Sequence, residues 1–187
     1  MKKIVVILIA VTMLFTACSS NSASSSKHDF RDVDFGMSTI ELFEIEGEPD
    51  DKRQSDDLSV YVYENREAFG VENALIQYQI DKNGVGWANV TFQNRYADNK
   101  SYVTEYNIVK KNLIAVWGEP ESITENEDEF KFSCTFSCTY GHKSLSLSRN
   151  PADKVFISVT ACSNDYLEAA SKRIQEIQKE HQQSETE

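Results

Sequence analysis

The chain has 187 residues and a formal net charge of −11, from 30 acidic against 19 basic side chains, and 40% of its residues are hydrophobic. That length and apolar content suffice for one domain with a core of its own. The acidic excess disfavours nucleic acid, anionic lipid and teichoic-type polymers as partners, since all carry the same sign, and otherwise keeps an exported domain soluble.

The chain opens with Lys2 and Lys3, an apolar run from Ile4 to Phe15, and then the small pair Thr16-Ala17. The run is 12 residues long, against the about 20 needed to cross roughly 30 Å of hydrocarbon. A basic start, a short apolar core and small residues form a removable export signal, read here as residues 1–17. Leu14-Phe15-Thr16-Ala17-Cys18 resembles the lipobox of bacterial lipoproteins. The resemblance implies cleavage before Cys18, a diacylglyceryl group on its thiol, and residence on the extracytoplasmic side of the cell membrane. Two acyl chains are the number that makes such attachment stable. Losing the segment removes Lys2 and Lys3 and no acid, which takes the net charge from −11 to −13.

Residues 18–33 read as a tether. Ser19 to Ser26 holds six Ser in eight residues and has no apolar periodicity, and as a flexible coil residues 19–30 would span about 20 Å.

From Asp34 the pattern changes. Ser38-Thr39-Ile40-Glu41 has the spacing of a capping box, and Gly47-Glu48-Pro49 is a helix stop, because Gly takes the left-handed conformation and Pro cannot continue a helix. This predicts a helix over Thr39–Glu46. Strands are predicted over Leu58–Glu64, Ala74–Asp81 and, after the hairpin turn Lys82-Asn83-Gly84, Val85–Phe92. The stop recurs 71 residues later as Gly118-Glu119-Pro120. Tyr102, Tyr106, Val109, Leu113 and Val116 lie on one face of the helix before it, predicted over Ser101–Trp117. Phe130, Phe132, Cys134, Phe136 and Cys138 then alternate with polar residues. Turns at Gly141-His142 and Asn150–Asp153 lead into strands around Leu145–Leu147 and Val155–Cys162.

The fold class is therefore α+β. Two tandem repeats, 34–97 and 98–163, each a helix followed by an antiparallel β-meander, form one sheet-with-helices domain. A C-terminal helix and tail, 164–187, follow, with Leu167, Ala170, Ile174 and Ile177 as a narrow docking stripe.

Phe35-Gly36-Met37-Ser38, an amphipathic helix, Gly47-Glu48-Pro49, strands, and then the same again resemble the tandem-repeat lipoproteins with the β-lactamase inhibitory protein fold. Single-repeat relatives of those include the small outer-membrane assembly lipoprotein of the SmpA/OmlA family. The resemblance implies helices on one side of a sheet and an open opposite face that grips other proteins. It implies no catalytic residue, and no cofactor or metal is expected.

The residues themselves offer little for an enzyme. His28 lies in the tether, His181 in the tail and His142 in a turn, and there is no HExxH, GxSxG or phosphate-cradling loop. Glu125 to Glu129 lacks the ligand spacing and central Gly of a calcium loop. A hydrolase is the remote alternative. For the cysteines, the meander brings strand ends together and favours a Cys138–Cys162 bridge, while strand parity argues against it; buried free thiols are the other reading.

If Val60, Val62, Ile76, Tyr78, Ile80, Ala88 and Val90 face the helices, then Tyr61, Tyr63, Gln77, Gln79, Trp87 and Asn89 share the open face. Aromatics and amides of that kind are enriched at contact surfaces. The expected function is that of a membrane-anchored, non-catalytic module binding a protein or envelope component, with no nucleic acid partner. The alternative is a structural envelope-assembly factor docking through its helices.

Overall fold

A computed structural model describes residues 28–55, 57–150 and 152–184. Cys18, the export segment and the Ser-rich run lie outside them. The described chain is α+β: three helices and one antiparallel sheet of eight strands.

In chain order the elements are α1 (Thr39–Glu46), β1 (Asp51–Gln54), β2 (Ser59–Ala68), β3 (Val71–Asp81), β4 (Gly84–Phe92), α2 (Asn99–Trp117), β5 (Pro120–Asn126), β6 (Lys131–Phe136), β7 (Gly141–Arg149), β8 (Val155–Ser163) and α3 (Asn164–Ser184). Helix α1 begins in a reciprocal cap, in which Ser38 N–H donates to Glu41 Oε2 at 2.8 Å and Glu41 N–H to Ser38 Oγ at 3.4 Å. Asp98 caps α2 by accepting from the Ser101 N–H at 2.8 Å. Both helices end on glycines at positive φ, Gly47 at 81° and Gly118 at 84°, where an L side chain would be strained.

The strand order is β1-β2-β3-β4-β8-β7-β6-β5, so β4 and β8 meet at the centre of the sheet. One face is apolar. Ile76 and Tyr78 on β3, Val90 on β4, Val159 on β8, Leu145 on β7 and Phe136 on β6 pack there, covered by Leu42 of α1 and by Tyr106, Val109, Leu113 and Trp117 of α2.

Four expectations are corrected. Two more strands exist than the alternation indicated, β1 and β5, and both are sheet edges. The tether does not reach residue 33: Phe30 and Val33 exchange backbone hydrogen bonds, are fully buried, and the Phe30 ring sits edge-on to Tyr78. Tyr61 and Tyr63 are not on the open face. Register sets Tyr61 opposite Tyr78 and Tyr63 opposite Ile76, which puts both tyrosines in the core and Val60 and Val62 on the other side. The larger side chains take the interior because each bears more apolar area and each finds a partner there. Tyr63 Oη donates to Gly47 O at 3.2 Å, and the Tyr61 ring meets Phe43 edge-on at 5.1 Å.

The fourth correction concerns α3. It docks through Tyr166, Ala169, Ala170 and Arg173, whereas Leu167 and Ile174 of the expected stripe are exposed. Among the described residues no helix is long and apolar enough to cross a membrane.

Candidate binding face

The sheet face away from α1 and α2 is built of rows that run across the strands. One row crosses all eight: Asp51, Val62, Gln77, Asn89, Thr160, Ser144, Thr135 and Ser122 are successive register neighbours. Another passes through Val60, Gln79, Trp87, Cys162 and His142. A third runs from Leu75 through Thr91, Ser158, Ser146 and Ser133 to Thr124. Most of these side chains are half-buried, as on a sheet face lying against water.

The surface is almost uncharged in a strongly acidic protein, and it is laced by its own hydrogen bonds. Ser146 and Ser158 hydroxyls meet at 3.0 Å. Asn89 Nδ2 donates to Val159 O at 3.1 Å and to Thr160 Oγ1 at 2.9 Å, while its Oδ1 accepts from Thr91 Oγ1 at 2.9 Å. With its donors and acceptor spent and only 8% of its surface exposed, Asn89 pins β4 to β8 instead of offering an amide to a ligand. Of the residues expected on the open face, Gln77, Gln79 and Trp87 remain there half-exposed, joined by Val60, Leu75 and the Ser/Thr rows. Ser137 and Thr139 lie beyond the end of β6.

Helix α3 covers one end of this face. The Tyr166 hydroxyl hydrogen-bonds Gln79 Oε1, and its ring lies so close to Gly86 that a Cβ there would come within 2.9 Å of Tyr166 Cδ2. Burial raises the Tyr166 phenol above its ordinary pKa. An isolated Gly within a strand is the sequence sign of such close approach, so Gly86 was the available pointer to Tyr166.

Cys134, Cys138 and Cys162 are free thiols. Cys134 is in the core, 3.0 Å from Tyr106 Oη. Cys162 faces the open side next to His142 in register, but burial pushes its thiol up, the opposite of what an activated nucleophile needs. His28 Nδ1 lies 3.1 Å from Asp34 Oδ2. No group of three or more His, Cys, Asp or Glu among the described residues is arranged to hold a metal ion. A cavity of about 370 Å³ at the sheet end, lined by Asp29, Phe35, Asp81, Tyr140, Asp165 and Tyr166 among others, lies beside the N-terminus of α3.

What fold and surface define is a class: an α+β protein with one helix-covered and one largely open sheet face. No protein-family model and no curated protein sequence matches the chain. Among solved structures, it is similar to a cysteine-rich secretory protein from Staphylococcus aureus subsp. aureus Mu50, at a TM-score of 0.33 and 10% identity. The match covers 71% of this chain and 46% of that one, so less than half of that protein's length is involved.

Proposed function

We propose that the chain is a membrane-anchored extracytoplasmic lipoprotein, held by lipid on Cys18, that acts as a non-catalytic binding module for a protein or cell-envelope component. Two tandem units of helix and meander, related through the recurring Gly-Glu-Pro stops, supply the sheet, in a body of the kind found in SmpA/OmlA-like lipoproteins. The observation that carries this reading is the row of neutral amide and hydroxyl side chains that crosses the sheet on the side away from α1 and α2. A broad, uncharged surface with an aromatic at Trp87 suits contact with another macromolecule better than capture of a small ligand.

Cross-linking on intact cells followed by mass spectrometry finds the partner and, on the same sample, the lipid on Cys18. Replacing Gln77, Gln79 and Trp87 with Ala is expected to abolish capture while the far-UV circular dichroism stays native. Unchanged capture refutes the face as the contact. A second reading, an assembly factor docked through its helices, draws on the exposure of Leu167 and Ile174 along α3, at 41% and 56%. Leu167→Asp with Ile174→Asp would then release the complex, and the face variants would not.

A further inference from the structure

The two margins of the sheet are chemically unlike. At one, β1 carries both signs, and Arg53 pairs with Asp51 at 3.1 Å. At the other, the stretch from just before β5 to the turn after it carries Glu119, Glu121, Glu125, Glu127, Asp128 and Glu129, with no base anywhere between Gly118 and Phe130. All six are exposed, and among the described residues Glu125 alone of them is in an ion pair, with Lys110 Nζ at 2.8 Å.

Strand β5 bonds only to β6 among the described residues, so from Ser122 to Asn126 its outward N–H and C=O groups form an open ladder. Such a ladder accepts an added strand. In its middle Ile123 is 51% exposed, and its register with Cys134 sets it beside Glu125 on the helix-bearing side. A second copy of this chain is a poor occupant, because antiparallel pairing of β5 with itself sets an acidic strand against an acidic strand. A strand in which basic side chains flank an apolar one satisfies the backbone, the carboxylates and Ile123 together.

We infer that the β5 edge is a docking site for an extended, lysine- or arginine-bearing segment of another protein, which adds to the sheet as a further strand. This goes beyond the open-face reading and uses none of its three test residues, so the two stand or fall separately.

The test uses the full chain and a blocked synthetic peptide in which threonine alternates with lysine and valine. Binding is expected, with slowed amide exchange confined to Ser122–Asn126. N-methylation of alternate peptide amides is expected to weaken it at least about tenfold, by removing ladder hydrogen bonds. The pair Glu121→Lys and Glu127→Lys, at two exposed carboxylates, is expected to do the same through charge, while Trp87→Ala leaves it unchanged. No binding, equal binding of the N-methylated peptide, or protection elsewhere in the sheet overturns the inference.

Discussion

Tyr78 Oη, in the core beneath α1, donates to Glu46 Oε1 at 2.5 Å, and Arg31 Nε stands 3.2 Å from the same carboxylate oxygen. Glu46 is at the last turn of α1 and Arg31 in the buried lead-in around Phe30, so one carboxylate ties helix, strand and lead-in together. Glu46→Ala removes the acceptor of Tyr78 and the ion-pair partner of Arg31 and is expected to cost about 2 kcal/mol, with Tyr78→Phe costing about 1 kcal/mol. Urea unfolding of the two single variants and the double variant checks both values, and the double should cost less than the sum.

Alkaline pH is expected to destabilise the protein through its phenols. Burial holds Tyr63, Tyr78 and Tyr106 well above the ordinary range, and the hydrogen bond that Tyr96 donates to Glu105 pushes it up to about 12. A raised folded-state value means the unfolded chain ionises first. The stability these groups confer is complete below about pH 10, the unfolded phenol's value, and is lost as pH rises through the folded values. Absorbance at the tyrosinate band should show the three buried phenols, Tyr63, Tyr78 and Tyr106, ionising together with unfolding, not before it.

The clasp between Tyr166 and Gln79 predicts a local effect. Tyr166→Phe deletes the hydroxyl and Gly86→Val puts methyls where the ring lies. Each is expected to loosen α3 by about 1 kcal/mol or more. Hydrogen exchange should speed up across the first turns of α3 and leave the core strands β3 and β4 unchanged, as expected for sub-global opening.

The thiols should react unequally. Cys138 is half-buried, whereas Cys134 and Cys162 are buried. Of these three, iodoacetamide on the native protein is expected to label Cys138 alone and to reach the other two only in denaturant, read by peptide mass spectrometry. A Cys138–Cys162 bridge would instead leave both unlabelled.

The parts of the fold legible in the sequence were those with local chemistry of their own. Ser38 and Glu41 cap α1, Gly47 and Gly118 end helices, and the strict alternation of β6 names its inner face. Elements defined only by their neighbours were hidden. Strands β1 and β5 are nearly all exposed, so no apolar alternation marks them, and Pro120 opens β5 where a central strand would not tolerate it. In β2 the run Val60-Tyr61-Val62-Tyr63 is apolar at every position, so its parity depends on pairing with β3. A slip of one there exchanges Tyr61 and Tyr63 for Val60 and Val62, two of the six residues expected on the open face. Phe30 and Val33 stand alone among charged residues, and nothing periodic announces that the core needs them.

The join between β4 and β8 bears on how the molecule is made. Asn89 and Thr160, bonded across it, are 71 residues apart in the chain. A polypeptide emerging N-terminus first completes β4 long before β8 exists, and until then the margin of β4 is bare. Contacts so distant form late and slowly, and an unfinished sheet with an unpaired central strand is a sticky intermediate. The nascent chain therefore has reason to need a guardian during its synthesis, and a truncation that drops β8 should yield aggregates instead of a working half.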